Sequence, residues 1–216
     1  MKLAIYGAGG LGREVLLLAQ QIEKQAHRWD GLIFIDDISP NRDVKGIPVV
    51  SFDQALTQHI EVVIAVGEPL LRAQLADKTA SHHLALATLI HPDVTVTECT
   101  RVGPGCVLAK GVYLSCDVTL GSNVYMQPNA SVGHDAQVGD HVVISTFVTT
   151  GGNVVIGDRV FIGMSAVLQQ KITVGNDAII GMGAVVFNDI REEGIALGNP
   201  ARVMRNNDEK RVFKSL

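Results

Sequence analysis

From Val96 onward the chain repeats every six residues, and this period constrains the fold more than anything else in the sequence. Written as hexads, the first positions are Val96, Val102, Leu108, Leu114, Leu120, Met126, Val132, Val138, Ile144, Thr150, Ile156, Ile162, Leu168, Val174, Ile180 and Val186. Only Thr150 is not apolar. Second positions are Gly at 103, 121, 133, 139, 151, 157, 163, 175 and 181, and fifth positions are small or β-branched, from Thr100 and Cys106 to Ala184 and Ile190. The register runs without insertion to Arg191. Such a period predicts a parallel β-helix of hexapeptide repeats, three hexads to a triangular turn. First-position side chains fill its narrow interior and fifth-position side chains share it. Glycine at the second position suits a corner where a Cβ would clash or the backbone needs positive φ.

The segment before this repeat has another organisation. Leu3 to Tyr6 reads as a strand, Gly7-Ala8-Gly9-Gly10-Leu11-Gly12 as a turn, and Arg13 to about Gln25 as a helix with Val15, Leu16, Leu18 and Ala19 on its apolar side. Leu32–Ile35 and Val62–Val66 read as further strands, Pro69 to about Ala80 as a helix, and Leu86–Ile90 as a last strand. Apolar strands between helices predict a small Rossmann-like parallel α/β sheet covered on both faces. The expected division is residues 1–91 for this sheet and 92–216 for the coil and a charged tail.

Bulk properties limit the function classes. The 216 residues are 47% hydrophobic and 19% charged, enough apolar content for a packed core, and the net charge of −4 does not favour a nucleic-acid-binding surface. Cys99, Cys106 and Cys116 match no zinc or CxxC spacing, so reduced thiols in a cytoplasmic protein are expected. The N-terminus lacks the three-part form of a signal peptide, and no apolar run reaches the roughly 18 residues of a membrane helix.

The glycine-rich βαβ start, the unbroken hexads, the pair His134-Asp135 and the closing Gly198-Asn199-Pro200-Ala201-Arg202 together resemble the sialic-acid O-acetyltransferase (NeuD) and bacillosamine-pathway N-acetyltransferase (PglD) family. The resemblance spans essentially the whole chain. It implies a left-handed coil, a homotrimer, acetyl-CoA as co-substrate and no metal. It also implies that His134 is the general base, with Asp135 orienting the ring. An imidazole is suited to take the proton of an amine or hydroxyl attacking a thioester.

Backbone N–H groups at the start of a helix can hold phosphate, and acids at a strand end can bind ribose or base. The resemblance implies that the nucleotide sugar is held here, at Gly9, Gly10, Leu11, Asp36, Asp37 and Gly67, with Arg13 and Arg72 able to add charge. Relatives place a second His, which contacts CoA, where this chain has Val143; His141 lies two residues earlier. The resemblance implies Val143, Gly152, Met164 and Met182 as the CoA positions, with the Gly152 N–H as an oxyanion donor. With no Cys next to His134, direct attack is expected rather than an acyl-enzyme. N-acetylation of a nucleotide-linked amino sugar is the leading expectation and O-acetylation of a sialic-acid-type sugar the alternative. A zinc hydratase needs three converging His, and the coil offers no third outward one.

Overall fold

The structure, a computed structural model, describes residues 1–213. Its N-terminal unit runs β1 (Lys2–Tyr6), α1 (Gly10–Ala26), β2 (Leu32–Ile35), β3 (Arg42–Val44), β4 (Ile47–Val50), α2 (Phe52–Leu56), β5 (Ile60–Ile64) and α3 (Pro69–Ser81). The sheet order is β3-β4-β2-β1-β5. β1 pairs in parallel with β2 and β5, and β2 with β4, whereas β3 is antiparallel to β4. The sheet is therefore mixed rather than wholly parallel. Side chains alternate across it: Leu3 and Ile5 pack with Val15 and Leu18 of α1, while Ala4 and Tyr6 pack with Phe52 and Leu75 on the other side.

The β3–β4 hairpin and α2 were not anticipated, yet both carry local signals. Lys45 and Gly46 have φ of 53° and 77°, the paired positive values of a two-residue hairpin turn. Ser51 and Gln54 form a reciprocal capping box at the start of α2. The expected strand Val62–Val66 begins earlier, at Ile60. The expected strand Leu86–Ile90 is split. Leu86 bridges Val62 of the first sheet, while Leu89–Ile90 pairs with Val107–Leu108 and so opens the coil, just ahead of residue 91.

The coil has three flat faces, each a stack of two-residue strands. Face 1 contains Val107–Leu108, Tyr125–Met126, Val143–Ile144, Phe161–Ile162 and Ile179–Ile180. Face 2 contains Tyr113–Leu114, Ser131–Val132, Thr149–Thr150, Val167–Leu168 and Val185–Val186. Face 3 contains Arg101–Val102, Thr119–Leu120, Gln137–Val138, Val155–Ile156 and Thr173–Val174. Residues 18 apart stack, as Tyr125 on Val143 and Val143 on Phe161. First- and fifth-position side chains form one continuous core from Cys106 to Ile190, as the hexads predict.

Glycine at the second position answers a steric demand. A Cβ at Gly121 would lie 2.7 Å from the backbone of Gly139, and one at Gly133 would lie 2.5 Å from that of Gly151. The positive φ falls two residues later, on Asp117, Asn123, Asn129, Asp135, His141 and their successors. Asn and Asp tolerate that region best after glycine.

Outward, sixth-position residues differ between faces. On face 3 Arg101, Thr119, Gln137, Val155 and Thr173 are all exposed. On face 1 Val107, Tyr125 and Val143 are buried in the same cluster as Val15 and Leu18 of α1. An apolar stripe of period 18 therefore docks the N-terminal unit onto one side of the coil. A hairpin of Gly194–Leu197 and Arg202–Asn206 extends face 1 at its far end.

Candidate active site

The hexad register fixes where each candidate side chain projects. Residues 133–135 and 151–153 turn from face 2 to face 3. Residues 121–123 and 139–141 turn from face 3 to face 1. Residues 163–165 and 181–183 turn from face 1 to face 2. His134 and His141 thus stand on different corners, and Met164 and Met182 on the third.

His134 and Asp135 are brought together. His134 Nδ1 lies 2.7 Å from Asp135 Oδ2, with both side chains about half exposed. A neutral ring whose Nδ1–H donates to that carboxylate presents Nε2 with its lone pair free. Gly152 stacks one turn beyond His134. A Cβ there would lie 2.5 Å from His134 Cε1 and Nε2, so only glycine leaves the ring its place. No group among the described residues accepts the Gly152 N–H, whereas on the 121–123 corner and its successors the equivalent N–H groups of Ser122, Asp140 and Asp158 are capped by Asp140, Asp158 and Asn176. The expectation that no Cys neighbours His134 needs correction. Asp135 N–H donates to the Cys116 carbonyl at 3.1 Å, which sets Cys116 one rung below His134 on the same corner.

His141 is held within the fold. Its Nδ1 is 3.0 Å from Asn123 Nδ2, and burial pushes its pKa down. Arg72 is fully buried and gives its guanidinium to the carbonyls of Ile64, Val66 and Asn123 and to Asn123 Oδ1. Burial pushes it down to about 10, so it stays charged at neutral pH. It is a strut between α3 and the coil, not a ligand for diphosphate. Arg13 is exposed on α1.

Of the other expected ligand residues, most line two clefts, while Gly10, Leu11 and Gly152 line neither. One, of about 360 Å³, lies at the C-terminal edge of the sheet and is lined by Tyr6, Gly7, Gly9, Asp36 and Asp37. Gly7 has φ +118° and a Cβ on Gly12 would overlap Gly7 O, so these two glycines build the turn, while Gly9 and Gly10 face open space. Leu11 is half-buried against the core of the unit. The second cleft, of about 410 Å³, runs between the unit and the coil and is lined by Gly67, Val143, Phe161, Met164, Met182 and Phe213. Gly67 therefore parts from the acid pair and joins three of the four expected CoA residues. Gly152 stays with His134.

The acids are already engaged. Asp36 accepts from the N–H groups of Ile38 and Ser39 and from Arg42 at 2.6 Å. Asp37 accepts from Tyr6 Oη at 2.6 Å, Lys78 Nζ at 2.9 Å and Phe52 N–H. For both, burial raises the pKa, but these donors outweigh it and hold the carboxyls below the usual range. Burial and Asp37 together push Tyr6 up to about 12. Arg42 and Lys78 place positive charge beside the first cleft. The sequence reading missed them, and the strand-end acids they neutralise were the available signal. Among the described residues no group of three His, Cys, Asp or Glu side chains is placed to hold a metal, and no helix is long and apolar enough to cross a membrane.

With this geometry in place, known proteins can be compared. A family model described as the PglD N-terminal domain matches residues 2–79, and one described as bacterial transferase hexapeptide (six repeats) matches 153–188. GDP-perosamine N-acetyltransferase of Escherichia coli O157:H7 is 32% identical over 135 residues, and the match spans 61% of that protein's length and 61% of this chain. Among solved structures, the acetyltransferase domain of PglB from Neisseria gonorrhoeae FA1090 is 32% identical with a TM-score of 0.87, over 94% of this chain and 99% of that one. PerB from Caulobacter crescentus, in complex with CoA and GDP-perosamine, is 28% identical with a TM-score of 0.85, over 95% and 98%. WeeI from Acinetobacter baumannii AYE is 27% identical with a TM-score of 0.88, over 94% and 100%. With both of its parts matched and near-complete coverage at this identity, the chain belongs to the hexapeptide-repeat sugar N-acetyltransferase family.

Proposed function

We propose that this chain transfers the acetyl group of acetyl-CoA to the amine of a nucleotide-linked amino sugar, with His134 as general base. The observation that carries the reading is the His134–Asp135 pair, hydrogen-bonded at 2.7 Å on an exposed corner, with no partner for Nε2 among the described residues. The sugar amine attacks the thioester carbonyl and a C–N bond forms. His134 Nε2 accepts the amine proton, and Asp135 stabilises the imidazolium. The C–S bond breaks, and the CoA thiolate leaves with a proton returned from His134. The unpaired Gly152 N–H is placed to donate to the developing oxyanion. An amine acceptor, rather than a hydroxyl, is supported by the N-acetyltransferase names of the relatives.

The nucleotide sugar is assigned to the cleft of Gly9, Asp36 and Asp37, with Gly10 and Leu11 on the adjoining first turn of α1. The acyl donor is assigned to Val143, Gly152, Met164 and Met182, with Gly67 at the junction. In one chain these parts do not meet, because His134 stands at the end of face 2 away from the cleft of Met164 and Met182. Face 2 lies between them and exposes Tyr113 and Val167. A left-handed coil packed as a homotrimer would set the His134 corner of one copy against the Met164 corner of the next. Acetyl-CoA and nucleotide sugars suit the expected cytoplasmic location.

The test is a panel of nucleotide-linked 4-amino sugars with acetyl-CoA, scored for free CoA and for the acetylated atom. Release dependent on the amino group, with an alkali-stable amide product, is expected. Release with hydroxyl acceptors alone would overturn the reading.

A further inference from the structure

Among the coil's first-position residues Thr150 alone is polar, and it is buried with 5% exposure. It lies one coil beyond His134, on the strand Thr149–Thr150 that leads into Gly152 and stacks on Ser131–Val132. At comparable turns the second-position N–H donates to the first-position carbonyl of the next coil: Gly121 to Val138, Gly139 to Ile156, Gly151 to Leu168, Gly163 to Ile180. Gly133 departs from this. Its N–H donates to the Thr150 hydroxyl, at 3.2 Å. The strand pairing registers the same departure. Ser131–Val132 pairs with Tyr113–Leu114 at both residues, and Thr149–Thr150 with Val167–Leu168 at both. Between them only Ser131 and Thr149 pair.

The break falls on the residue before His134. On the far side the turn is held by the Asn153 N–H, which donates to the His134 carbonyl at 2.7 Å. We infer that Thr150 is a positioning residue: its hydroxyl takes the Gly133 N–H out of the regular ladder and so sets the turn that presents His134 Nε2. The inference rests on His134 being the base. A hydroxyl where every other first position is apolar breaks the local rule of the core, and such breaks concentrate at functional sites. Thr150 lines neither cleft, and its hydroxyl bonds the Gly133 backbone rather than His134, so its effect is through geometry.

The test is Thr150→Val, which keeps shape and removes the hydroxyl, beside Thr150→Ser, which keeps the hydroxyl. With valine, the Gly133 N–H returns to the residue-150 carbonyl as at the other turns. A small misplacement of a catalytic group costs roughly 10–100-fold in rate. Thr150→Val should therefore lose about that much in kcat, with KM for both substrates nearly unchanged and Tm unchanged or raised. Thr150→Ser should recover most of the loss. Unchanged kcat in Thr150→Val would overturn the inference. So would a loss accompanied by a lower Tm and not recovered by serine, since that marks a structural role. His134→Ala run alongside separates the two readings. If it retains turnover, the base assignment fails; if it is inactive while Thr150→Val is normal, only the positioning role fails.

Discussion

His134 and His141 occupy consecutive hexads of one repeat, at the third and fourth positions, and their surroundings differ in every respect that matters. His134 is half exposed, paired with Asp135, and keeps Nε2 free beside the glycine backbone of the next coil. His141 is partly buried, bonded to Asn123, and sits beside the Arg72 guanidinium that ties α3 to the coil. Two corners with the same backbone therefore do different work. The His134 corner is exposed; the other is closed by the docked N-terminal unit. The repeat supplies identical turns, and only the 18-residue stripe on face 1 decides which turn is covered.

The largest structural effect expected from breaking this contrast is at Arg72. Arg72→Ala would leave the buried carbonyls of Ile64, Val66 and Asn123 without their donor. A stranded buried acceptor costs about 1–3 kcal/mol, and several are stranded together. A lowered Tm, with a separate early transition for the N-terminal unit in calorimetry, is expected. An unchanged single transition would show that the strut does not hold the closed corner.

Ala166→Phe sharpens the coil's side of the comparison. Ala166 is fully buried at a fifth position, and Gln170 is exposed at a third. Overpacking a tight core costs about 1–3 kcal/mol, spread to neighbouring coils of a stacked repeat. Gln170→Phe should cost little. The reverse order of Tm losses would show the hexad phase to be wrong.

The closed corner also predicts a pH dependence. His141 has a folded pKa depressed by burial, so its neutral form contributes stability above the unfolded value near 6.5 that is lost as pH falls through the folded value. Asp36, Asp37 and Asp177, also depressed, lose theirs further down, in the carboxylate range. Denaturation midpoints should fall on acidification, and the fall just below neutrality should flatten in His141→Gln. Equal slopes in the two proteins would remove His141 from the account.

The smallest effect is expected at Cys116. If the amine attacks the thioester directly, Cys116→Ser should leave kcat within about twofold. A large loss, with acetyl trapped on the wild-type protein by mass spectrometry, would instead put an acyl-enzyme on the open corner.

The coil was legible because its constraint is local and repeated: each interior position shows in the sequence as an apolar or small residue at a fixed step. The pairing of His134 with Asp135 was legible for the same reason, being adjacent in the chain. Asp at the fourth position also satisfies the left-handed backbone there, as at Asp117 and Asp177, so the residue alone assigns no role; the observation that supports one is its bond to His134. The partners of Asp36 and Asp37 were not legible. Arg42 and Lys78 reach them through a hairpin and a helix face whose placement depends on tertiary packing. Nor was the fate of Arg72, which reads as a surface helix cation until the coil covers it. Cys116 escaped notice because it is 18 residues from His134 in sequence and one rung away in space. The face-1 stripe could have been found by sorting sixth positions into three sets.

The most direct test is to measure His134→Ala and His141→Ala side by side, as assembled proteins of matched Tm, with acetyl-CoA and the best amino-sugar acceptor. The account predicts that His134→Ala loses roughly 10²–10⁴-fold in kcat, the range for a lost general base, while His141→Ala keeps kcat within about threefold. Near-normal turnover in His134→Ala, or a comparable collapse in His141→Ala, would contradict it.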